Sequence, residues 1–269
     1  MVRVVIVGAT GRMGCTLVVC ARHMQGLVVT GAVDRLGHAS IGRDIGELAG
    51  IGPIGVLVSG SLVSALDAAD VVVDFSDPSS TAANLDACAQ AGVAMLVGTT
   101  GLAADIDAHA ARAAQHIPVM IASNTSLGVT LLTALVREAA RLLPDDFDIE
   151  IVEAHHRHKK DAPSGTALTL GKAAAQGRGV AFETVAVMAR EGVAPRKIGD
   201  IGFSVVRGGD IVGEHDVIFA GTAEKLTLSH QATDRAVFAR GALQAARWLA
   251  ARQAGRFGMS DFISLKTAT

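Results

Sequence analysis

The sequence contains no tyrosine, and aromatic residues make up only 3% of its 269 positions. The missing tyrosine excludes every reductase mechanism that uses a tyrosine hydroxyl as its acid. Few aromatic side chains are present to stack on bases, and the formal net charge of -2 provides no basic field for a phosphate backbone. We therefore expect no nucleic-acid partner.

Long apolar runs are also missing, and cysteine is rare. No stretch approaches the about 18 apolar residues that a membrane-spanning helix needs, and the apolar run that ends at Gly8 is too short for a signal peptide. Cys15, Cys20 and Cys88 are odd in number and lack metal-ligand spacing, so we expect them to be reduced thiols. These absences favour a cytoplasmic protein with no membrane segment and no metal site.

The first half of the sequence does contain apolar segments in regular alternation with helical ones. Its apolar runs end at small residues, as expected for strands buried on both faces. These runs are Val2–Val7, Leu27–Val33, Val71–Phe75, Val93–Val97 and Pro118–Ala122. The alternation predicts an α/β fold with a Rossmann-like doubly wound parallel sheet, whose ligands bind beside the carboxyl ends of the strands. The glycine-rich stretch Gly37–Ser59 has little periodicity and is interpreted as a loop.

A different pattern begins at about residue 127. After a linking helix at Gly128–Leu143, polar and apolar residues alternate in several segments, which is typical of half-exposed strands. These segments are Asp148–Ala154, Glu183–Met188, Phe203–Arg207, Asp216–Ala220 and Glu224–Ser229. They predict a second α+β domain with a mixed or antiparallel sheet over residues 127–236. Residues 1–126 and 237–269 would form the dinucleotide-binding domain, with a long alanine-rich helix at Asp234–Ala254 packed back on it.

The segment Gly8–Gly14 follows the first strand and opens a helix, with the spacing G-x-x-G-x-x-G. Unpaired amides at a helix N-terminus attract anions, and glycines let the backbone approach a phosphate closely. We therefore interpret this segment as a site for the pyrophosphate of a dinucleotide. The alternative is a tight strand-to-helix turn without a ligand.

An acidic and a basic side chain meet at the end of the second strand. Asp34 is placed to accept the ribose hydroxyls of NADH, while Arg35 can hold the 2′-phosphate of NADPH. The presence of both indicates tolerance of either cofactor, although a solvated ion pair would leave the same pattern. Two later strands end in small polar loops at 98–101 and 123–126, which either contact the nicotinamide or cap helices.

The most distinctive segment, Glu153–Thr166, holds three of the nine histidines of the chain. Its clustered histidines, arginine and lysines favour an anionic partner such as a dicarboxylate, and they also supply protons. The helix that starts here offers free amides and the hydroxyls of Ser164 and Thr166 as a carboxylate site. A zinc site is disfavoured because His155 and His156 point to opposite faces of a strand. A solvated charge run and a nucleic-acid docking patch are the remaining alternatives.

The run EAHHRHKKDAPSGTA at Glu153–Ala167 resembles the signature of the dihydrodipicolinate reductase family. Other segments that fit the same family, in the same order along the chain, are the GATGRMG loop, the GTTG loop at 98–101, the Asn124–Ser126 turn, Arg207–His215 and Gly241–Leu249. The resemblance implies an NADH- or NADPH-dependent oxidoreductase of the diaminopimelate and lysine pathway. Its substrate would be 4-hydroxy-tetrahydrodipicolinate (dihydrodipicolinate), its product tetrahydrodipicolinate. It also implies that the second domain binds the substrate and joins the chain into a homotetramer.

The resemblance also assigns roles to individual residues. His155 would be the acid-base residue and Lys159 a second proton donor. The implied substrate contacts are His156, Ser164, Gly165 and Thr166. The implied cofactor contacts are Gly8, Ala9, Thr10, Gly11, Arg12, Met13, Asp34, Arg35, Gly98, Thr99, Thr100, Ser123, Asn124, Thr125 and Ser126, with Gly14 packing the helix.

The chain departs from the family pattern at two of these positions. Asp34 stands where the family often has the longer glutamate, which predicts a weaker hold on the ribose. Thr125 stands where many members carry an aromatic residue, which predicts looser packing on the nicotinamide. The working hypothesis is hydride transfer to an unsaturated ring carbon, with protonation by His155 and Lys159. The alternatives are an amino-acid dehydrogenase on the same fold and a nucleotide sensor without catalysis, which would need neither proton donor.

Overall fold

The computed structural model describes residues 1–264. Within this range the chain forms two compact units, one of Met1–Leu127 together with the chain from Arg235 onward, and one of Gly128–Asp234. None of the helices in the described range has both the length and the apolar character needed to span a bilayer.

The first unit is built on a sheet of parallel strands. Its strands are β1 (Val2–Val7), β2 (Leu27–Val33), β3 (Val58–Ser59), β4 (Val71–Asp74), β5 (Ala94–Val97), β6 (Pro118–Ile121) and β12 (Gly255–Phe257). They lie in the order β12-β6-β5-β4-β1-β2-β3. After β1 the chain adds β2 and β3 on one side of this central strand, and it then adds β4, β5 and β6 on the opposite side. This reversal creates the switch point at which open α/β sheets bind ligands, and it confirms the predicted doubly wound sheet.

Both faces of this sheet are covered by helices. The helices of the unit are α1 (Arg12–Arg22), α2 (Ile45–Leu48), α3 (Val63–Leu66), α4 (Thr81–Ala91), α5 (Ile106–Ala113), α9 (Ala236–Leu249) and α10 (Met259–Ser264). Alternate residues of β1 point to opposite faces. Val4 and Ile6 enter an apolar cluster with α1 and α9, while Val5 and Val7 enter a second cluster with α4 and α5. Burial on both faces explains why β1 is almost continuously aliphatic.

The second unit contains a mixed sheet. Its elements are α6 (Leu127–Leu142), β7 (Asp148–His155), α7 (Gly165–Gly177), α8 (Phe182–Val185), β8 (Ala186–Val187), β9 (Ile201–Arg207), β10 (Gly213–Ala220) and β11 (Lys225–Ala232). The strand order is β11-β10-β7-β9-β8, with β10 antiparallel to both neighbours and β7, β9 and β8 mutually parallel. Ile149 and Ile151 pack beneath α6 and α7, and their neighbours along β7 are half exposed. The predicted mixed sheet is confirmed.

Three sequence-based expectations for local structure were wrong. Glu183–Met188 begins as the short helix α8 and only then becomes strand β8, because its alternation is too brief to separate helix from strand. The expected loop Gly37–Ser59 contains α2 and β3. There, Asp44 caps α2, and its carboxylate also accepts the amides of Ile54 and Gly55.

The expected helix Asp234–Ala254 is shorter than its composition indicates. Helix α9 covers Ala236–Leu249, and the chain then adds β12 to the edge of the sheet by parallel pairing with β6. Pairing of residues this far apart in sequence leaves no periodicity within a local window, so the short strand was missed. The packing of α9 against β4, β5 and α1 agrees with the expectation that this helix belongs to the first unit.

Candidate active site

The glycine loop of the first unit is a tight connection that excludes side chains. Gly8 has a φ of +75°, and a Cβ on it would lie 2.5 Å from the carbonyl oxygen of Phe75. A Cβ on Gly14 would lie 2.2 Å from the oxygen of Gly8. The amides of Gly8 and Ala9 both donate to the carbonyl of Val33 at the end of β2. The loop is therefore held against the sheet by contacts that only glycine permits at these two positions.

Helix α1 begins without a side-chain cap among the described residues. Gly11 occupies the N-cap position, and the first turn contains no acidic residue. Arg12 is exposed and Met13 is half-buried. The N-terminal amides of this helix and its dipole thus favour an anion, as a bound pyrophosphate requires.

Asp34 connects the end of β2 to the glycine loop. Its Oδ2 accepts hydrogen bonds from the amide and hydroxyl of Thr10 at 3.1 and 2.6 Å, and its Oδ1 accepts from the amide of Arg35 at 2.9 Å. Burial raises the pKa of Asp34, but these hydrogen bonds outweigh it and hold the pKa below its ordinary value. The carboxylate is therefore ionised, and Arg35 beside it is exposed. This arrangement fits the two expected roles toward the cofactor ribose.

The loops after β4 and β5 are joined by a buried carboxylate that the sequence analysis missed. Asp74 is fully buried and accepts hydrogen bonds from the Ser76 amide at 2.9 Å and the Thr99 hydroxyl at 3.2 Å. The hydroxyl of Thr99 is thus used within the protein, whereas Thr100 is exposed. A Cβ on Gly98 would lie 2.2 Å from the ring of Phe75, so that ring covers the loop at Gly98.

The turn after β6 is anchored to helix α9. Thr125 is 2% exposed, and its hydroxyl donates to the carbonyl of Phe238 at 2.7 Å. The Ser126 amide donates to the side chain of Asn124 at 2.9 Å, while Ser123 is exposed. The side chain of Thr125 is therefore directed to α9. The sequence predicted looser packing on the nicotinamide at this position, and the structure adds a hydrogen bond from the threonine hydroxyl to α9.

The strands of the second unit assemble a cluster of ionisable side chains on one face. Glu153 and His155 are two residues apart on β7 and so lie on the same face. Arg207 on β9 is paired with His155, and His215 on β10 is paired with Glu153. Sequence reasoning found His155 but gave no role to the other three residues. The proximity of Arg207 and His215 depends on strand pairing.

Glu153 is the centre of this cluster and is 1% exposed. The guanidinium of Arg207 binds both of its oxygens, at 2.7 and 2.8 Å. The same carboxylate accepts the amide of Ser164 at 2.9 Å and contacts Nδ1 of His155 at 2.6 Å. Burial raises the pKa of Glu153, but its hydrogen bonds with Arg207, His155 and the Ser164 amide outweigh burial and lower it. Glu153 is thus an ionised and fully partnered carboxylate.

His155 is held by its Nδ1 atom, and its side chain is 11% exposed. Burial lowers its pKa and outweighs the opposite effect of Glu153, while Lys159 and Arg207 lower it further. The ring meets the ring of His215 edge-on at a centroid distance of 5.1 Å. A Cβ on Gly213 would lie only 3.1 Å from Nε2, so a glycine at this position leaves space beside Nε2.

Lys159 lies close to the cluster and carries its own counter-ion. Its Nζ is 2.9 Å from the carboxylate of Asp161, and the carbonyl of Asp161 accepts from Arg207 at 2.7 Å. The positive charge that the sequence analysis assigned to a bound dicarboxylate is therefore partly balanced within the protein. His156 is half-buried and His158 is exposed, with their rings 6.3 Å apart.

Helix α7 starts directly against the cluster. Ser164 is its N-cap and accepts the Ala167 amide at 3.1 Å; its hydroxyl also lies 3.0 Å from Nε2 of His215. Ser164 is 2% exposed, and both its hydroxyl and its amide are hydrogen-bonded within the protein. Gly165 is exposed and faces open space, and Thr166 is half-buried. The most exposed part of the expected carboxylate site is therefore at Gly165.

His215 is the most deeply buried histidine of the cluster, with 4% exposure. Burial, together with the nearby His155, lowers its pKa to about 4. Its Nδ1 is buried and has no hydrogen-bond partner within residues 1–264. His215 is therefore neutral near pH 7.

Within residues 1–264, no group of three or more histidine, cysteine, aspartate or glutamate side chains is arranged to hold a metal ion.

Comparison with known families places both units in one family. The family described as dihydrodipicolinate reductase, N-terminus, matches residues 2–125, and the family described as dihydrodipicolinate reductase, C-terminus, matches residues 128–263. Together the two matches span almost the whole chain.

Full-length relatives carry a consistent name. A 4-hydroxy-tetrahydrodipicolinate reductase of Rhizobium rhizogenes is 48% identical over 98% of this chain and 97% of its own. The 4-hydroxy-tetrahydrodipicolinate reductase 1 of Mesorhizobium japonicum is 50% identical over 97% of this chain and 96% of its own. A solved dihydrodipicolinate reductase from Paenisporosarcina sp. TG-14, with dipicolinate bound, matches with a TM-score of 0.75 at 22% identity, over 96% of this chain and 97% of its own. This last likeness shows the shared fold.

Proposed function

The chain belongs to the dihydrodipicolinate reductase family, and on that premise we propose how its residues carry out the family's reaction. The protein is a nicotinamide-dependent oxidoreductase that reduces 4-hydroxy-tetrahydrodipicolinate to tetrahydrodipicolinate in diaminopimelate and lysine biosynthesis. The change takes up a hydride and a proton and releases water. The observation that best supports the residue roles is the half-buried His155, bound through Nδ1 to the buried Glu153, with Lys159 close by.

The first unit supplies the groups that fit a dinucleotide. The uncapped start of α1 provides amides for the pyrophosphate, the tight glycine loop holds the chain against the sheet just before it, and the ionised Asp34 accepts ribose hydroxyls. The reduced nicotinamide would supply the hydride. The remaining proposed cofactor contacts are Ala9, Thr10, Arg12, Met13, Gly98, Thr99, Thr100, Ser123, Asn124, Thr125 and Ser126. Of these, Thr10, Thr99 and Thr125 would contribute backbone atoms, because their hydroxyls are bonded within the protein.

Either nicotinamide cofactor is accommodated in this proposal. The exposed Arg35 is available to the 2′-phosphate of NADPH, and Asp34 is available to the unmodified ribose of NADH. Because Asp34 is fixed by Thr10 and by the Arg35 amide, one carboxylate geometry serves both cofactors.

The second unit supplies the substrate and proton-transfer groups. We assign His156, Ser164, Gly165 and Thr166 to the substrate carboxylates, with the α7 amides as the main donors because the Ser164 side chain is already bonded. Orientation of this kind is worth about 7–11 kcal/mol in well-aligned intramolecular reactions. The dianion would also complete the neutralisation of a segment in which Asp161 only partly balances the cations.

His155 is the proposed proton donor, acting through Nε2. Its Nδ1 is engaged by Glu153, so Nε2 is the ring atom left for exchange, beside the space at Gly213. Burial lowers the pKa of His155, which makes its protonated form a stronger acid. A bound dianion opposes this shift because an opposite charge favours the protonated ring. Lys159 is the proposed second donor, kept near by Asp161.

The reaction is tested by mixing the protein with NADPH or NADH and the product of dihydrodipicolinate synthase. We expect loss of the absorbance of the reduced nicotinamide only when that product is present. Oxidation without it, or no oxidation with it, would contradict the proposal. Binding of the cofactor without turnover in the complete mixture would favour the nucleotide-sensor alternative.

We further propose that the protein is a cytoplasmic homotetramer. One face of the mixed sheet, including Val152, Ser204 and Ile218, is only half-buried or exposed in the single chain, and it offers apolar and polar groups for pairing with other copies. None of the three cysteines is in a disulfide, as expected in a reducing compartment. Light scattering after size-exclusion chromatography should give four times the 27.5 kDa chain mass, and a monomer would refute the assembly.

A further inference from the structure

We propose that Glu153 is a positioning residue, whose buried carboxylate fixes the tautomer of His155 and connects it to the start of α7. This inference rests on the proposed function only for its kinetic consequences. The arrangement itself stands on the contacts of one side chain that is 1% exposed and has three protein partners.

The first step concerns the charge of Glu153. A buried carboxylate is costly unless it is paired and hydrogen-bonded. Arg207 meets both oxygens in a bidentate pair, the strong geometry for arginine and carboxylate. Arg207 also donates to the carbonyl of Asp161, so the guanidinium is fixed at a second point. Glu153 consequently stays ionised in the folded protein and accepts hydrogen bonds at both oxygens.

The second step concerns the proton on His155. An ionised carboxylate accepts but cannot donate, so the contact of 2.6 Å requires a proton on Nδ1. In neutral His155, Nε2 is then the basic atom, and in protonated His155 the Nε2 proton is the one that can leave. The opposite tautomer would place the Nδ1 lone pair against a negative charge. Glu153 therefore selects which ring nitrogen exchanges the proton.

The third step connects the acid with the substrate carboxylate site. Oε1 of Glu153 accepts the amide of Ser164, the N-cap of α7, while Oε2 contacts His155. One rigid side chain thus sets the position of the proton donor relative to the first turn of α7. A shift of this carboxylate would move both groups, whereas an isolated histidine and an isolated helix start would vary independently.

The test is Glu153→Gln, which keeps the size but replaces the charge with an amide that can donate to Nδ1 and so favours the other tautomer. We expect kcat to fall on the order of 100-fold at pH 7, a loss typical of a disabled general acid, with cofactor affinity unchanged. Glu153 raises the pKa of His155, so its removal lowers that pKa. The fall of kcat/KM with rising pH should therefore move to lower pH.

The matched control is Glu138→Gln, which removes a glutamate whose side chain is 47% exposed and paired with Arg141 in the same unit. It should leave kcat and the pH profile as in the wild type. A Glu153→Gln protein with the wild-type kcat and pH profile would overturn the proposal. A lower kcat with an unchanged pH profile would also overturn it, because a general loss of structure does not shift the titration of His155.

A spectroscopic readout on the wild type covers the case in which Glu153→Gln does not fold. In protein labelled with ¹⁵N at histidine, the His155 signals are identified by their absence in His155→Gln. Above its pKa, a protonated Nδ1 and a bare Nε2 support the proposal, and a protonated Nε2 overturns it. This measurement needs no substrate, so it still decides the role of Glu153 if the reductase assay fails.

Discussion

The glycine loop of the first unit and the histidine cluster of the second differ in what creates their chemistry. The loop acts through the backbone amides at the start of α1, to which it leads, and its shape follows from glycines that are close together in sequence, at Gly8, Gly11 and Gly14. The cluster acts through side chains, and its members Glu153, Arg207 and His215 come from three strands. The first site is determined by residues that are close together in sequence, whereas the second forms only when the strands of the sheet have paired.

This difference predicts different responses to substitution. A change in the loop should alter the fit of the backbone, affecting stability and cofactor binding together. A change in the cluster should alter proton transfer or charge while leaving the cofactor unaffected. The predictions that follow separate the two sites, beginning with the largest effect.

The largest effect is expected for His155→Gln. The variant removes the proposed proton donor, and a positioned general acid contributes roughly 10²–10⁴-fold to a rate. We expect kcat to fall by that amount, while cofactor affinity, measured by the fluorescence of the bound reduced nicotinamide, stays the same. His158→Gln, at an exposed histidine of the same segment, is the control and should retain turnover. Full activity of His155→Gln would remove this residue from the mechanism.

The same contrast explains how much of the protein was predictable. The parallel sheet, the glycine loop and the carboxylate at Asp34 follow from short windows of sequence, in which strand burial, turn and helix start are adjacent. His155 and Lys159 were found because they stand in a dense charged run and resemble a family signature. The other members of the cluster, Arg207 and His215, lie about fifty residues further on: Arg207 is bonded to Glu153, 54 residues away, and His215 to Ser164, 51 residues away.

The sequence does not reveal the register between the strands, and this register decides that Arg207 and His215 lie beside Glu153 and His155. Alternation along β7 predicts that Glu153 and His155 share a face, but it does not say which residue of β9 or β10 stands opposite. The sequence-based prediction missed the short elements β12 and α2 for a related reason. Strand β12 is defined by its pairing with β6, and α2 by the multiple bonds to Asp44, neither of which is a periodic signal.

The second prediction concerns acid stability, and it uses the buried His215. The groups around it are Ser164, His155, Glu153, Lys159 and His230. Its pKa falls from 6.5 in the unfolded chain to about 4 in the folded protein, so the unfolded state binds the proton first as the pH falls. As the pH falls from 6.5 to about 4, the titration of His215 should lower the free energy of unfolding by about 3 kcal/mol. Above pH 6.5 this titration should not change the free energy of unfolding.

The comparison with His215→Gln isolates this contribution. Glutamine keeps a donor near the Ser164 hydroxyl but does not titrate, so the variant lacks the decline due to residue 215. Urea unfolding at several pH values, at equal protein concentration, gives the difference between the two proteins. Parallel curves for wild type and variant from pH 7 to pH 4 would show that His215 does not titrate in this way.

A smaller effect is expected for Gly8→Ala in the glycine loop. The substitution combines a φ of +75° with a Cβ 2.5 Å from the oxygen of Phe75, for which we expect about 2 kcal/mol of destabilisation. Gly37→Ala is the matched control, because Gly37 has a φ of +81° but open space around it. Thermal unfolding should show the larger loss for Gly8→Ala, together with weaker cofactor binding for that variant alone. Equal losses would mean that the contact with Phe75 is irrelevant.

The smallest effect is expected for Arg35→Ala, which changes one exposed side chain beside the loop. A guanidinium on the 2′-phosphate is worth about 1.4 kcal/mol at such a site, or tenfold in affinity. NADPH binding should weaken by that factor and NADH binding should stay constant, because the unmodified ribose is held by Asp34. Arg22→Ala, at the exposed end of α1, controls for the loss of a positive charge. If Arg35→Ala weakened both cofactors equally, the residue would act on the loop as a whole, and the local selectivity assigned to this strand end would be wrong.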